Sequence, residues 1–103
     1  MTREDLVFLT ELSREECAVI LSVARELRDA RREHRALHSA HEGYAVILEE
    51  LDELWSEVMK KRQLRSRALM AREAIQIAAM GARFLLEICM TPPAALESTE
   101  VAE

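Results

Sequence analysis

At 103 residues, 50% hydrophobic and 32% charged, with a formal net charge of -5, the chain is sized for one small domain. Aromatics at 4%, with two glycines and two prolines, exclude a sandwich or barrel and leave an all-α chain. The acidity argues against a nucleic-acid binder, and no uncharged apolar run approaches the roughly 18 to 20 residues of a membrane span. Met1-Thr2-Arg3-Glu4-Asp5 is not a basic region leading into an apolar core, so a cytoplasmic location is expected.

Three helix starts are marked by an N-cap residue with a carboxylate three positions on: Thr2 with Asp5, Ser13 with Glu16, and Ser39 with Glu42. A short helix is predicted over about residues 3–12. Cys17, Ile20, Leu21, Ala24 and Leu27 recur at helical spacing and predict a long helix over about 14–36. Cys17 and Cys89 lack metal-ligand spacing and are expected to be reduced residues of the core.

After Ser39, the residues Tyr44, Ile47, Leu48, Leu51, Leu54, Trp55 and Val58 form an apolar stripe on a helix predicted to reach about Arg62, with Trp55 expected in the core. Ser66 caps a third long helix, which Thr91-Pro92-Pro93 must stop near Met90. The expected architecture is a bundle of three long helices plus a short N-terminal one, forming a single domain over residues 1–90. Residues 91–103 read as a disordered tail.

Over residues 68–88 the third helix is apolar on nearly every face, with one polar line through Glu73, Gln76, Arg83 and Glu87. Such a helix needs protein all round it, and so short a chain has too few other helices to enclose it. Self-association is therefore expected, most simply a dimer completing the bundle.

From Ala36 to Met59 there are six acidic residues, Glu42, Glu49, Glu50, Asp52, Glu53 and Glu57, and no lysine or arginine. Like charges three or four residues apart cost about 0.2 to 0.5 kcal/mol per pair. Either this is a hydrated face neutralised by arginines from elsewhere, or a divalent cation compensates it. Glu73 and Gln76 form a second pair at i,i+3 on a helix expected to be buried, where a lone carboxylate is expensive. Both observations are explained if the helices pack with Glu50/Glu53 facing Glu73/Gln76.

Ile47-Leu48-Glu49-Glu50-Leu51-Asp52-Glu53-Leu54 resembles the EExxE signature of MazG-like nucleotide pyrophosphatases, of the all-α NTP pyrophosphatase superfamily. The second half of that signature, ExxD on the following helix, is matched by Glu73 with Gln76 in the aspartate position, and the likeness covers about residues 40–90. The resemblance implies a dimer, or dimer of dimers, that cleaves a nucleoside triphosphate between the α and β phosphates. It implies magnesium, or manganese, on Glu50, Glu53 and Glu73, with Glu49 orienting or deprotonating the attacking water. Gln76 departs from the pattern: its amide oxygen still coordinates a cation, but one charge is lost and metal affinity should fall. A weakened enzyme is thus one expectation, and a non-catalytic helical interaction module is the alternative.

Lys60, Lys61, Arg62, Arg65, Arg67 and Arg72 follow the acidic helix, and the first four are expected to grip the β and γ phosphates unless they serve only as helix-terminal charge and connector. Arg25, Arg28, Arg31, Arg32 and Arg35 form a second cluster that can counter the acidic helix. His34, His38 and His41 would share a face on an unbroken helix, but the cap at Ser39 predicts a break. His41 and Tyr44 are left as candidates for lining a nucleotide pocket.

Overall fold

The computed structural model describes residues 1–90, so the expected tail over 91–103 lies outside the described residues. Four helices follow one another, and the described residues contain no strand: α1 (Arg3–Thr10), α2 (Arg14–Glu33), α3 (Ala40–Val58) and α4 (Arg67–Phe84). A 3-10 turn, Arg62–Leu64, precedes α4, and a π-turn, Leu85–Cys89, extends it. No helix among the described residues is long and apolar enough to cross a membrane.

The local capping signals act as their chemistry requires. Thr2 and Asp5, and Ser13 and Glu16, form reciprocal capping boxes, satisfying backbone donors that the first helical turn leaves unpaired. Ser39 caps α3 by accepting from the Glu42 amide at 3.1 Å, but the Glu42 carboxylate is drawn to the His38 amide (2.9 Å) and to both Nη atoms of Arg35 (3.1 and 2.7 Å). The Arg35 hydrogen bonds, followed by the His38 amide, hold the Glu42 carboxyl down to about 2.

Two helices end earlier than periodicity predicts, for tertiary reasons. α2 stops at Glu33 because the chain turns extended to place the Leu37 amide on the Glu87 carboxylate, 2.8 Å away, and to bury the Leu37 side chain. α3 stops at Val58, where Arg65 Nε donates to the carbonyls of Val58 (2.9 Å) and Lys60 (3.1 Å).

α4 is central, packed along α3 on one side and against α2 on the other. Its direction relative to α3 is read from three juxtapositions. The Ser66 amide donates to Glu57, Glu73 lies with Glu50, and Phe84 lies against Gly43. Positions 43, 50 and 57 are two turns apart and descend as the α4 positions rise, so the helices run antiparallel with this stripe of α3 facing α4. A Cβ at Gly43 would stand 2.5 Å from Phe84 Cδ2, so the close approach there depends on glycine.

This register overturns two sequence expectations. Trp55 lies two residues from Glu57, about 200° round the helix, and is 58% exposed rather than in the core; Leu48 and Leu51 are exposed on the same side of α3. The small core instead gathers Ala30, Ala79 and Met80, with Val23, Leu27, Val46 and Ile47 packed against it. Cys17 and Cys89 are free but exposed, not core residues. Cys17 stands in the first turn of α2, which buries only Ala30, while the π-turn turns Glu87 and Ile88 inward and leaves Cys89 outside.

The polar line of α4 is also divided. Arg83, 4% exposed, donates to Glu87 through Nε (3.3 Å) and Nη2 (3.2 Å), and Arg31 Nε of α2 donates to the same carboxylate at 3.1 Å. Arg83 Nη2 also reaches the Arg35 carbonyl at 3.1 Å. Burial alone would raise the Glu87 carboxyl. The Arg83 and Leu37 hydrogen bonds outweigh it and hold the carboxyl below its ordinary value, so an ion pair rather than an apolar core ties α4 to the α2–α3 connection.

Candidate metal centre

Glu50 belongs to the α3 stripe that faces α4, and Glu53, three residues on, lies one turn along the same side. Glu73 meets them from α4. One carboxylate oxygen from each of the three lies within 4.8 Å of the others. Glu50 and Glu73 are half-buried and Glu53 is exposed, so the trio stands at the edge of the helix pair.

Placing three carboxylates together is unfavourable unless a proton or a cation is shared. Burial, reinforced by Glu53, Glu73 and Glu49, pushes the Glu50 carboxyl up to about 7. Burial and Glu53 also raise Glu73, against the opposing charge of Arg72. Oε2 of Glu73 is buried and has no hydrogen-bond partner, the condition under which a carboxylate oxygen is most costly. A hard divalent cation fits this donor set: octahedral magnesium at about 2.0 to 2.1 Å places its ligand oxygens about 2.9 to 4.2 Å apart, close to the observed clustering.

Beside the trio a cleft of ≈ 450 Å³ opens between α2, α3 and α4. Glu49, Glu50 and Gln76 line it, with Ala30, Val46 and Met80 as its apolar lining. Glu50, Glu53 and Glu73 are thus brought together, while Gln76 and the exposed Glu49 border the cleft next to them. Glu26, Glu33 and His34 of the α2 side also line the cleft and were missed as site residues. The seven-residue spacing of Glu26 and Glu33 was the available signal.

The other predicted site residues lie elsewhere. Lys60 Nζ is engaged at 2.7 Å by Glu57, a buried carboxylate, 5% exposed, that also accepts the Ser66 amide at 2.6 Å. Arg65 is occupied in capping α3. Lys61 and Arg62 are exposed in the same connection, beyond the end of α3. His41 and Tyr44 are exposed in the first turns of α3 and do not line the cleft with Glu49.

Fold and site together define a class: an all-α chain with a three-carboxylate, oxygen-donor centre across an antiparallel helix pair. Comparison with protein-family profiles, with curated proteins and with solved structures returns no match.

The raised Glu50 carboxyl has a sign that can be checked. Its folded value exceeds the unfolded one, so its contribution is fully present below about 4.5 and is lost as pH rises towards about 7. Glu42 acts oppositely, its contribution being lost as pH falls from about 4.5 towards 2. Metal-free protein should therefore melt highest near pH 4 to 5 and several degrees lower at pH 7.5, and saturating magnesium should remove that loss. Melting curves over this range in EDTA and in magnesium test it, and a metal-free melting temperature that climbs steadily to pH 7.5 would rule it out.

Proposed function

We propose that this chain is a magnesium-dependent nucleoside triphosphate pyrophosphohydrolase, working as a homodimer or dimer of dimers. The observation that carries the reading is the approach of Glu50, Glu53 and Glu73 with one Glu73 oxygen buried and unpartnered, beside a cleft large enough for a nucleoside. The resemblance of Glu49-Glu50-x-x-Glu53 and Glu73 to the MazG-like signature supports the same chemistry.

Glu50, Glu53 and Glu73 would hold the cation, with the Gln76 amide oxygen as a weaker neighbour. A bound divalent ion supplies neutralisation of the triphosphate and a more acidic water. Glu49, exposed at the cleft, takes a proton from the water that attacks the α-phosphorus. The bond to the bridging oxygen breaks, its electron pair leaves with pyrophosphate, and the monophosphate remains.

A panel of canonical and modified nucleotides, assayed with magnesium or manganese, should yield monophosphate and pyrophosphate in equal amounts. Release of orthophosphate alone would mean a different bond is cut. The alternative, a non-catalytic helical interaction module, is favoured by the exposed apolar side of α3. It is the better reading if magnesium with a non-hydrolysable triphosphate gives no heat in titration calorimetry.

Self-association rests on exposed apolar surface. Leu48, Leu51 and Trp55 of α3 and Leu69 and Leu85 of the α4 segment all stand in water, and the radius of gyration, 16.5 Å, exceeds the about 12 to 13 Å of a compact chain this size. Sedimentation should find no substantial monomer at micromolar concentration. A stable monomer there, with unchanged melting on dilution, would end this part of the proposal.

A further inference from the structure

Of the four cations expected to hold the phosphates, Lys60 is engaged by Glu57 and Arg65 by two carbonyls, while Lys61 and Arg62 are exposed beyond the end of α3; among the other arginines, Arg35 is paired with Glu42, and Arg31 and Arg83 with Glu87. Two other arginines face a second depression of ≈ 650 Å³, on the far side of Gln76 from the cleft, between α2 and α4. Arg25 comes from α2 and Arg72 from α4, and neither makes an ion pair among the described residues. Glu26, Glu33 and Gln76 line both depressions, so the two adjoin at these residues.

Arg72 immediately precedes Glu73, one of the three carboxylates, and shares a helix face with Gln76 four residues on. The cleft is bordered by Glu50 and Gln76 and the depression by Gln76, so a ligand running from the apolar-lined cleft past Glu50 and Gln76 arrives between Arg25 and Arg72. Each guanidinium offers a planar fork of donors matched to phosphate oxygens, which a lysine ammonium does not.

We propose that Arg25 and Arg72 form the pyrophosphate-binding pair of the site, holding the β and γ phosphates while the nucleoside occupies the cleft. The proposal rests on the nucleotide reading above for its substrate, and it names residues outside the signature that suggested that reading. Glu26, Asp29 and Glu33 line the same depression, so a bare polyanion is repelled and the species recognised is the magnesium complex of the phosphates.

The test measures binding of inorganic pyrophosphate, with and without magnesium, to wild type, Arg25→Gln, Arg72→Gln, the double variant and Arg25→Lys, together with steady-state hydrolysis. Both arginines are exposed, so the variants should keep the wild-type melting temperature. Wild type should bind pyrophosphate only with magnesium. Each Gln variant should weaken binding and raise KM by about tenfold to a hundredfold, and Arg25→Lys should recover part of the loss. Wild-type hydrolysis with KM unmoved in both Gln variants would overturn the arginine assignment and leave the enzyme reading standing. If no triphosphate is hydrolysed, the enzyme reading fails separately: magnesium pyrophosphate binding lost in the double variant would still support the pair, and absence of such binding to wild type would overturn it.

Discussion

Glu50→Gln is expected to abolish hydrolysis, by at least about a hundredfold in kcat/KM, while making the metal-free protein more stable. The opposite signs arise because Glu50 stands against Glu53 and Glu73 and its carboxyl is pushed up to about 7 by burial and those charges. A neutral amide relieves the repulsion, so the metal-free melting temperature at pH 7.5 should rise. The same change removes a ligand and with it the stabilisation a bound ion gives, which is about 2.7 kcal/mol at a hundred times Kd. Gln76→Asp should behave as the converse, melting lower without metal and higher with it. Equal shifts of Gln76→Asp in EDTA and in magnesium would place position 76 outside the metal site, and a Glu50→Gln variant with intact hydrolysis would sink the assignment of the trio.

Glu87→Ala should be the most destabilising single change in the described residues. Glu87 accepts from Arg31, from two nitrogens of Arg83 and from the Leu37 amide, all between 2.8 and 3.3 Å. Its removal strands a buried guanidinium, for which a loss of about 3 to 5 kcal/mol is expected. For a domain this size that corresponds to a fall of at least about 12 °C in melting temperature. Glu87→Gln keeps an acceptor for the Leu37 amide and should lose less, and Arg83→Met with Glu87→Leu should recover stability, because no buried charge is then left alone. Chemical denaturation of the four proteins measures the series, and a cost below about 1 kcal/mol for Glu87→Ala would mean the network is not what joins α4 to the α2–α3 connection.

The approach of Glu50, Glu53 and Glu73 was legible in the sequence, whereas the engagement of Lys60 and Arg65 by the fold was not. Glu50, Glu53 and Glu73 sit on two consecutive helices joined by a short connection, so i,i+3 spacing and the cost of a lone carboxylate on an apolar helix were enough to suggest the pairing. Lys60 and Arg65 carry a local charge run, but Lys60 is held by Glu57, which the α3–α4 pairing buries and which also accepts the Ser66 amide, and Arg65 is held by the carbonyls of Val58 and Lys60. Likewise Arg83 and Glu87 are recognisable as an i,i+4 pair, whereas the Leu37 amide fifty residues away is not.

The sequence by itself determined where helices begin, that the described residues form helices and no strand, and which residues share a face. Capping bonds and helical periodicity span three to seven residues, and they act in the unfolded chain as they do in the folded one. Tertiary structure alone decided which face of α3 meets α4. The apolar stripe with Leu51 and Trp55 was the stronger local signal, yet the close approach of Phe84 at Gly43 and the ties made by Glu57 turn that stripe outward and Glu50 inward. Rotation of a helix about its own axis leaves every local bond unchanged; only packing and desolvation against the neighbouring helix distinguish one rotation from another.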